Sequence, residues 1–245
     1  MSVHPESDTD KGEIPQGFNP LWFSGILECS GSASFGASTK EATNGGKRVE
    51  TRPFISIGDN DFDRLTRLQQ VTNVGKIYEM GANWKWLVTG KPALKLMALT
   101  RNFLLRERAT AEAFAEWAKY ENGENKLIVV NRYRSQPEPK ISISEYTDYI
   151  RANPQFLAGI VDSRGIITFH SKEGRANTHD WNWYTITIDT KYTNILEAIK
   201  NIHGGRVDRH HGYRWVGDVE ESRKLVEVVK PYLRIRDQQA KEIWR

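Results

Sequence analysis

The side chains best suited to chemistry fall into a few groups. Five of the six histidines lie between His170 and His211, a concentration that suggests a zinc site. Two of them, His210 and His211, are adjacent and would face opposite ways on a strand, and the one cysteine, Cys29, cannot complete a thiolate set. No Gly-rich phosphate loop and no motif-supported Ser/His/Asp or Cys/His set is present. What remains is a series of cations, hydroxyls and aromatics at alternate positions. Ser34, Ser38, Arg52, Phe54, Lys76 and Tyr78 alternate with Phe35, Ile55, Ile57 and Ile77. Further on, Thr168, His170, Lys172, Trp183, Thr185, Arg206 and Asp208 alternate with Phe169, Ile186, Ile188 and Val207. On strands, such alternation sends the apolar set to a core and the polar set to an open face. Lys40, Lys47, Arg48 and Arg175 are placed in the turns between, and Lys85 and Arg214 on strands whose face the pattern leaves open. Cations on an open face suit phosphates, and Arg, Thr and Tyr also reach base edges. Trp181, Trp183 and Tyr184 offer stacking surfaces.

The elements that must position these residues have 245 residues to draw on, enough for one large domain or two smaller ones. Apolar residues make up 38% and charged residues 27%, and mean hydropathy is −0.61. The longest aliphatic run, 127–130, falls far short of the roughly 20 apolar residues of a membrane span, so no membrane partner is expected. A single cysteine excludes a disulfide framework. Formal charge is +4, but the first eighteen residues carry −3, leaving +7 on the rest. A basic body with an acidic arm at 1–18 favours a polyanionic partner.

The chain repeats itself. Asn19-Pro20-Leu21-Trp22-Phe23-Ser24-Gly25-Ile26-Leu27-Glu28-Cys29-Ser30-Gly31 aligns without a gap on Asn153-Pro154-Gln155-Phe156-Leu157-Ala158-Gly159-Ile160-Val161-Asp162-Ser163-Arg164-Gly165, 134 residues later. Each copy reads as a short helix with Asn as N-cap, Pro in the first turn and Gly as a left-handed exit residue. Strands follow at 34–38 and 166–172, then at 54–57 and 183–188. Helices follow at 61–71 and 193–202, two further strands at 75–78 and 84–88 or 205–208 and 213–216, and closing helices at 92 to about 120 and 222–244. The order is αββαββα twice, an α+β chain of two pseudo-symmetric halves, 19–120 and 153–245, joined by a linker at 121–152 with Gly123 and Gln136-Pro137-Glu138-Pro139 as punctuation. Gly25 and Cys29 share one helix face, as do Gly159 and Ser163, and such small residues let two helices approach closely about a pseudo-twofold axis.

These two segments and their surroundings resemble the LAGLIDADG homing endonucleases of the single-chain, two-motif type, whose nine-letter motif falls on 23–31 and 157–165. The resemblance implies two saddle-shaped antiparallel sheets whose open faces meet a duplex in its major groove. It also implies that each motif helix delivers a carboxylate, at the eighth motif position, to divalent ions beside the scissile phosphates. Magnesium-type ions want hard anionic oxygens, and phosphodiester hydrolysis needs the ion to activate water and offset charge on the leaving oxygen. Here the eighth positions hold Ser30 and Arg164. Glu28 and Asp162 stand at the sixth positions, roughly 200° away around the helix. A guanidinium about 5 Å from a divalent ion, at an effective dielectric of about 20, would repel it by on the order of 6 kcal/mol, yet it is a good partner for a phosphate.

The expected function is therefore nucleic-acid binding without cleavage and without a cofactor, magnesium being required only if nuclease activity is retained. The partner would be duplex DNA or structured RNA, including an intron RNA in a maturase-like role or ribosomal RNA in a larger ribonucleoprotein, bound by a pseudo-symmetric monomer. Two alternatives are an active site-specific endonuclease using other acids, and a structural protein-binding module.

Overall fold

Along the chain, α1 (Pro20–Ser30) is followed by β1 (Gly31–Glu41), β2 (Lys47–Asp59), α2 (Phe62–Thr72), β3 (Lys76–Met80), β4 (Asn83–Thr89) and α3 (Lys91–Thr100). Helices α4 (Arg108–Trp117), α5 (Gly123–Arg134) and α6 (Ile143–Ala152) lead to α7 (Pro154–Arg164). Then come β5 (Gly165–Lys172), β6 (Trp181–Thr190), α8 (Thr193–His203), β7 (Arg206–Arg209), β8 (Tyr213–Gly217) and α9 (Val219–Val229). This computed structural model describes residues 12–41, 47–172, 181–209 and 212–236. Among them the strands form two four-stranded antiparallel sheets, ordered β1-β2-β4-β3 and β5-β6-β8-β7, the α+β arrangement the sequence predicts.

Packing divides the chain differently from the repeat. Among the described residues, those within 12–18, 31–102 and 107–137 form one compact unit, and those within 19–30, 103–106 and 138–236 form the other. Helix α1 belongs to the second unit because it packs on α7. A Cβ on Gly25 would stand 2.0 Å from the Phe156 carbonyl oxygen, and one on Gly159 would stand 1.9 Å from that of Trp22. Only glycine permits backbones this close. One of the two caps and both exits differ from expectation. Asn19 caps α1 by accepting from the Trp22 N–H at 3.1 Å, whereas the Asn153 amide donates to the Tyr149 carbonyl at 2.9 Å. Gly31 is absent from the residues with positive φ, and Gly165 has φ −68° and ψ 141°, so neither is a left-handed exit. At Gly165 a Cβ would lie 2.5 Å from the Val161 carbonyl oxygen, a reason for glycine that rests on space rather than on φ.

The closing helices are shorter than the sequence suggests. After α3 a 3-10 turn spans Arg101–Phe103 and the helix resumes only at α4, while after α9 a 3-10 turn spans Lys230–Tyr232 and the described chain continues without helix to residue 236. The rest of the expected 222–244 helix lies outside the described residues. Pro231 removes a helix donor at the second break. The 121–152 segment is largely helical: Asn122 caps α5, and a Ser142–Glu145 capping box starts α6.

In the first unit the sheet's core face carries Phe35, Ile55, Ile57, Trp86 and Val88, all buried. Phe35 meets the rings of Phe114 on α4 and Tyr133 on α5 at 4.8 and 5.7 Å. In the second unit Ile186, Ile188 and Trp215 are fully buried. Phe169 corrects the expectation of burial. Its register partner Tyr184 puts it on the core face with Ile186 and Ile188, but it is 58% exposed, lacking among the described residues the cover that Phe114 and Tyr133 give Phe35.

Candidate nucleic-acid interface

The two acids of the repeat are buried brackets. Glu28 accepts the Leu105 N–H at 2.8 Å, and the Arg106 N–H and Tyr146 hydroxyl each at 3.1 Å. The Arg106 guanidinium closes the bracket, donating to the Leu27 and Glu28 carbonyls at 3.2 Å and lying 4.2 Å over the Tyr192 ring. Burial first, then the Glu28 charge, pushes the Tyr146 hydroxyl well above the usual phenol range. Asp162 repeats the design with the N–H groups of Arg234, Ile235 and Arg236 at 2.7, 3.2 and 2.8 Å and the Trp22 indole at 2.8 Å. Burial pushes its carboxyl up against the pull of these donors. These bonds also explain the helix breaks: the N–H groups that would continue the closing helices are taken by carboxylates.

At the eighth motif positions, the Ser30 hydroxyl turns back onto its own helix and donates to the Ile26 carbonyl at 2.9 Å. Arg164 is half-buried, and its charge acts on the Cys29 thiol, which burial nevertheless pushes up to about 11. Cys29 and Ser163 are buried as well, the Ser163 hydroxyl donating to the Ile160 carbonyl at 3.1 Å. A divalent ion does not fit this donor set. A hydroxyl engaged with its helix and a permanent cation offer no anionic oxygen, and Glu28 and Asp162 are committed to backbone N–H groups. Among the described residues no three His, Cys, Asp or Glu side chains gather as a metal site requires.

The register fixes the faces that the sequence left open. On the first sheet Lys76 pairs with Leu87, and Tyr78 pairs with Lys85, so Lys85 joins Lys76 and Tyr78 on the face opposite Trp86 and Val88. Ser34, paired with Phe54, and Arg52, paired with Gly36, share that face, as does the exposed Ser38. The strands run further than predicted, so Lys40, Lys47 and Arg48 are strand residues rather than turn residues. Lys40 lies opposite Arg48 and pairs with Glu50 at 2.9 Å. Lys47 falls in the register of Ile55 and Ile57, on the helix side. The Arg48 guanidinium reaches the start of α5, 3.3 Å from where a Gly123 Cβ would be.

On the second sheet Thr168 is exposed, and His170 is bonded to the Thr185 hydroxyl at 3.0 Å, both on the open face. Arg214 lies there too, directly opposite Asp189 on one side and Asp208 on the other. Its Nε and Nη2 donate to the two Asp189 oxygens at 2.5 and 2.9 Å, and Arg206 Nε donates to Asp208 at 2.8 Å. The pairing holds the Arg214 guanidinium above its ordinary pKa range. Tyr184, by register, faces the core side. Lys172 and Trp183 are strand residues, but their side chains, that of Trp181, and all of Arg175, His210 and His211 lie outside what is described. Sequence reasoning missed Asp189. Its signal was its place in an alternating strand with Thr185 and Thr187, but its partner depends on a strand pairing that alternation does not set.

No protein-family model matches the chain, and no characterised relative matches it by sequence. Its fold, however, is that of LAGLIDADG homing endonucleases. The crystal structure of the meganuclease I-AabMI bound to uncleaved DNA matches with a TM-score of 0.58 at 17% identity, over 92% of this chain and 89% of that one. I-SmaMI bound to cleaved DNA matches at 0.59 and 14%, over 95% and 89%. I-GzeII in complex with its DNA target matches at 0.59 and 15%, over 93% and 89%.

Proposed function

We propose that the protein binds a nucleic-acid duplex on the open faces of its sheets and does not cut it. The observation that carries the loss of cleavage is the donor set at the helix ends: Ser30 bonded to its own helix, Arg164 in place of a carboxylate, and Glu28 and Asp162 spent as brackets. The DNA-bound state of the structures sharing the fold, and the cations Arg52, Lys76 and Lys85 on one open face, support the binding. Duplex DNA is the partner these neighbours favour. Structured RNA, of an intron or of a ribonucleoprotein, is the other arm of the test.

The experiment incubates the purified protein with a randomised duplex library and with structured RNA, in magnesium or manganese, and reads both retention and strand integrity. Retained, intact nucleic acid is expected, with no divalent requirement. Site-dependent cuts that disappear on chelation would restore the nuclease reading. Binding to neither polymer would leave a protein-binding module.

A further inference from the structure

On the second sheet four charged residues cluster on the open face: Asp189, Arg214 and Asp208 lie in one row across three strands, and Arg206, in the next row opposite Val216, bonds to Asp208 from two residues back on β7. Their signs alternate and cancel. The corresponding positions of the first sheet are Gly58, Lys85 and Tyr78 in one row and Lys76 in the next, opposite Leu87, and carry two positive charges and no acid. The same architectural position is therefore basic on one sheet and neutral on the other. A cluster meant only to attract phosphate would not place a carboxylate on each side of its arginine, because those carboxylates offset the charge that draws the phosphate in.

What the arrangement does supply is orientation. Asp189 takes the Nε hydrogen and one Nη2 hydrogen of Arg214. Of the five N–H donors of a guanidinium, this leaves both Nη1 hydrogens and the second on Nη2. Two of these form the end-on edge, a pair of parallel donors at fixed spacing. The side chain is 32% exposed, so the edge is reachable, and its rotamer entropy has already been given up to the ion pair. Two parallel donors match the O6 and N7 acceptors that guanine presents in the major groove. Resting on the reading of this face as a duplex-binding surface, we propose that Arg214 is a base-reading residue selective for guanine, and that Asp189 is the positioning residue that aims it. The two lysines at the equivalent positions of the first sheet supply backbone attraction. The second sheet's row supplies sequence discrimination.

The test starts from a duplex selected by the wild-type protein from a random library. Affinity is then measured on a panel in which each base pair is replaced in turn, at several salt concentrations, with Arg214→Gln, Arg214→Lys and Asp189→Ala alongside; thermal melting confirms that each variant is folded. The wild type is expected to prefer guanine at one position by about 10- to 100-fold. Arg214→Gln should erase that preference alone and leave the salt slope unchanged. Arg214→Lys, which keeps the charge but loses the fork, should erase it too. Asp189→Ala should weaken the same preference while steepening the salt slope by about 0.9, as the released guanidinium turns to a phosphate. Uniform loss across the panel in Arg214→Gln with a shallower slope would make Arg214 a phosphate contact and overturn the proposal, as would unchanged preferences or a wild type that binds duplex without preference. A wild type that binds no duplex would instead overturn the function on which the proposal rests.

Discussion

Glu28 and Asp162 show how the same residue type can be read two ways. An acid inside an otherwise apolar helix is either chemistry or an acceptor for backbone that cannot find a helical partner, and here the three and four donors around these carboxylates decide for the second. His203 is the reverse case, a buried titratable side chain whose Nε2 has no hydrogen-bond partner among the described residues. Burial lowers its pKa from 6.5 to about 4. The folded protein thus holds a neutral imidazole where the unfolded chain would bind a proton below about pH 6.5. Stability is unaffected by this group above that pH, declines as pH falls through the window from about 6.5 to 4, and levels below it. The loss should be at most about 3 kcal/mol. Denaturant titrations between pH 7 and 4 on the parent and on His203→Leu check it, the variant being expected to lose the part of the acid-side decline that the parent shows in this window.

At the scale of elements, the repeat made α1 and α7 legible, because a Pro at the start and a Gly at the centre are spacing signals a helix pair cannot disguise. The two glycines meet backbone, not side chains, so a larger residue has nothing to push aside but the helices themselves. Gly25→Leu and Gly159→Leu should each cost at least the roughly 1–3 kcal/mol of an overpacked core, and lower the melting temperature accordingly. Gly36→Ala, whose Cβ would meet nothing nearer than 3.8 Å, should melt like the parent. Equal melting of all three variants would show that the helices do not pack through these faces. Other elements were not legible for identifiable reasons. The breaks after α3 and α9 depend on acids about 75 residues away in sequence, which local propensity does not see. In α5 and α6, Gly123 and the two prolines at 137 and 139 read as linker punctuation, yet they bound helices rather than replace them. The burial of Phe35 and the exposure of Phe169 follow from α4 and α5, which cover the first sheet, and no repeat of that cover was written in the alternation of either strand.

Across the whole molecule, exposed positive charge is held in ion pairs on α8 and α9 and also on the sheets, at Lys40, Arg206 and Arg214. On α9, Lys224 pairs with Glu220 at 2.8 Å and Arg223 with Glu227 at 3.7 Å; on α8, Lys200 pairs with Glu197 at 3.2 Å. These are exposed helix pairs of little consequence for stability, and each cancels a charge that a polyanion would otherwise meet. On the first sheet's open face, Arg52, Lys76 and Lys85 stand among Ser34, Phe54, Tyr78 and Leu87. Counterion release predicts that each phosphate neutralised contributes about 0.7 to 0.9 to the slope of log affinity against log salt. Replacing Arg52, Lys76 and Lys85 together by alanine should therefore flatten that slope by about 2 to 3 and weaken binding to every sequence alike. Reversing charge at Lys224 and Lys230 changes net charge by more than the triple alanine variant does, so a purely nonspecific attraction would lose more from the helix variant. A titration of both variants between 50 and 200 mM salt, on the selected duplex and on structured RNA, decides between these accounts. The steeper loss belongs to the sheet variant if the face binds, and to the helix variant if only net charge matters.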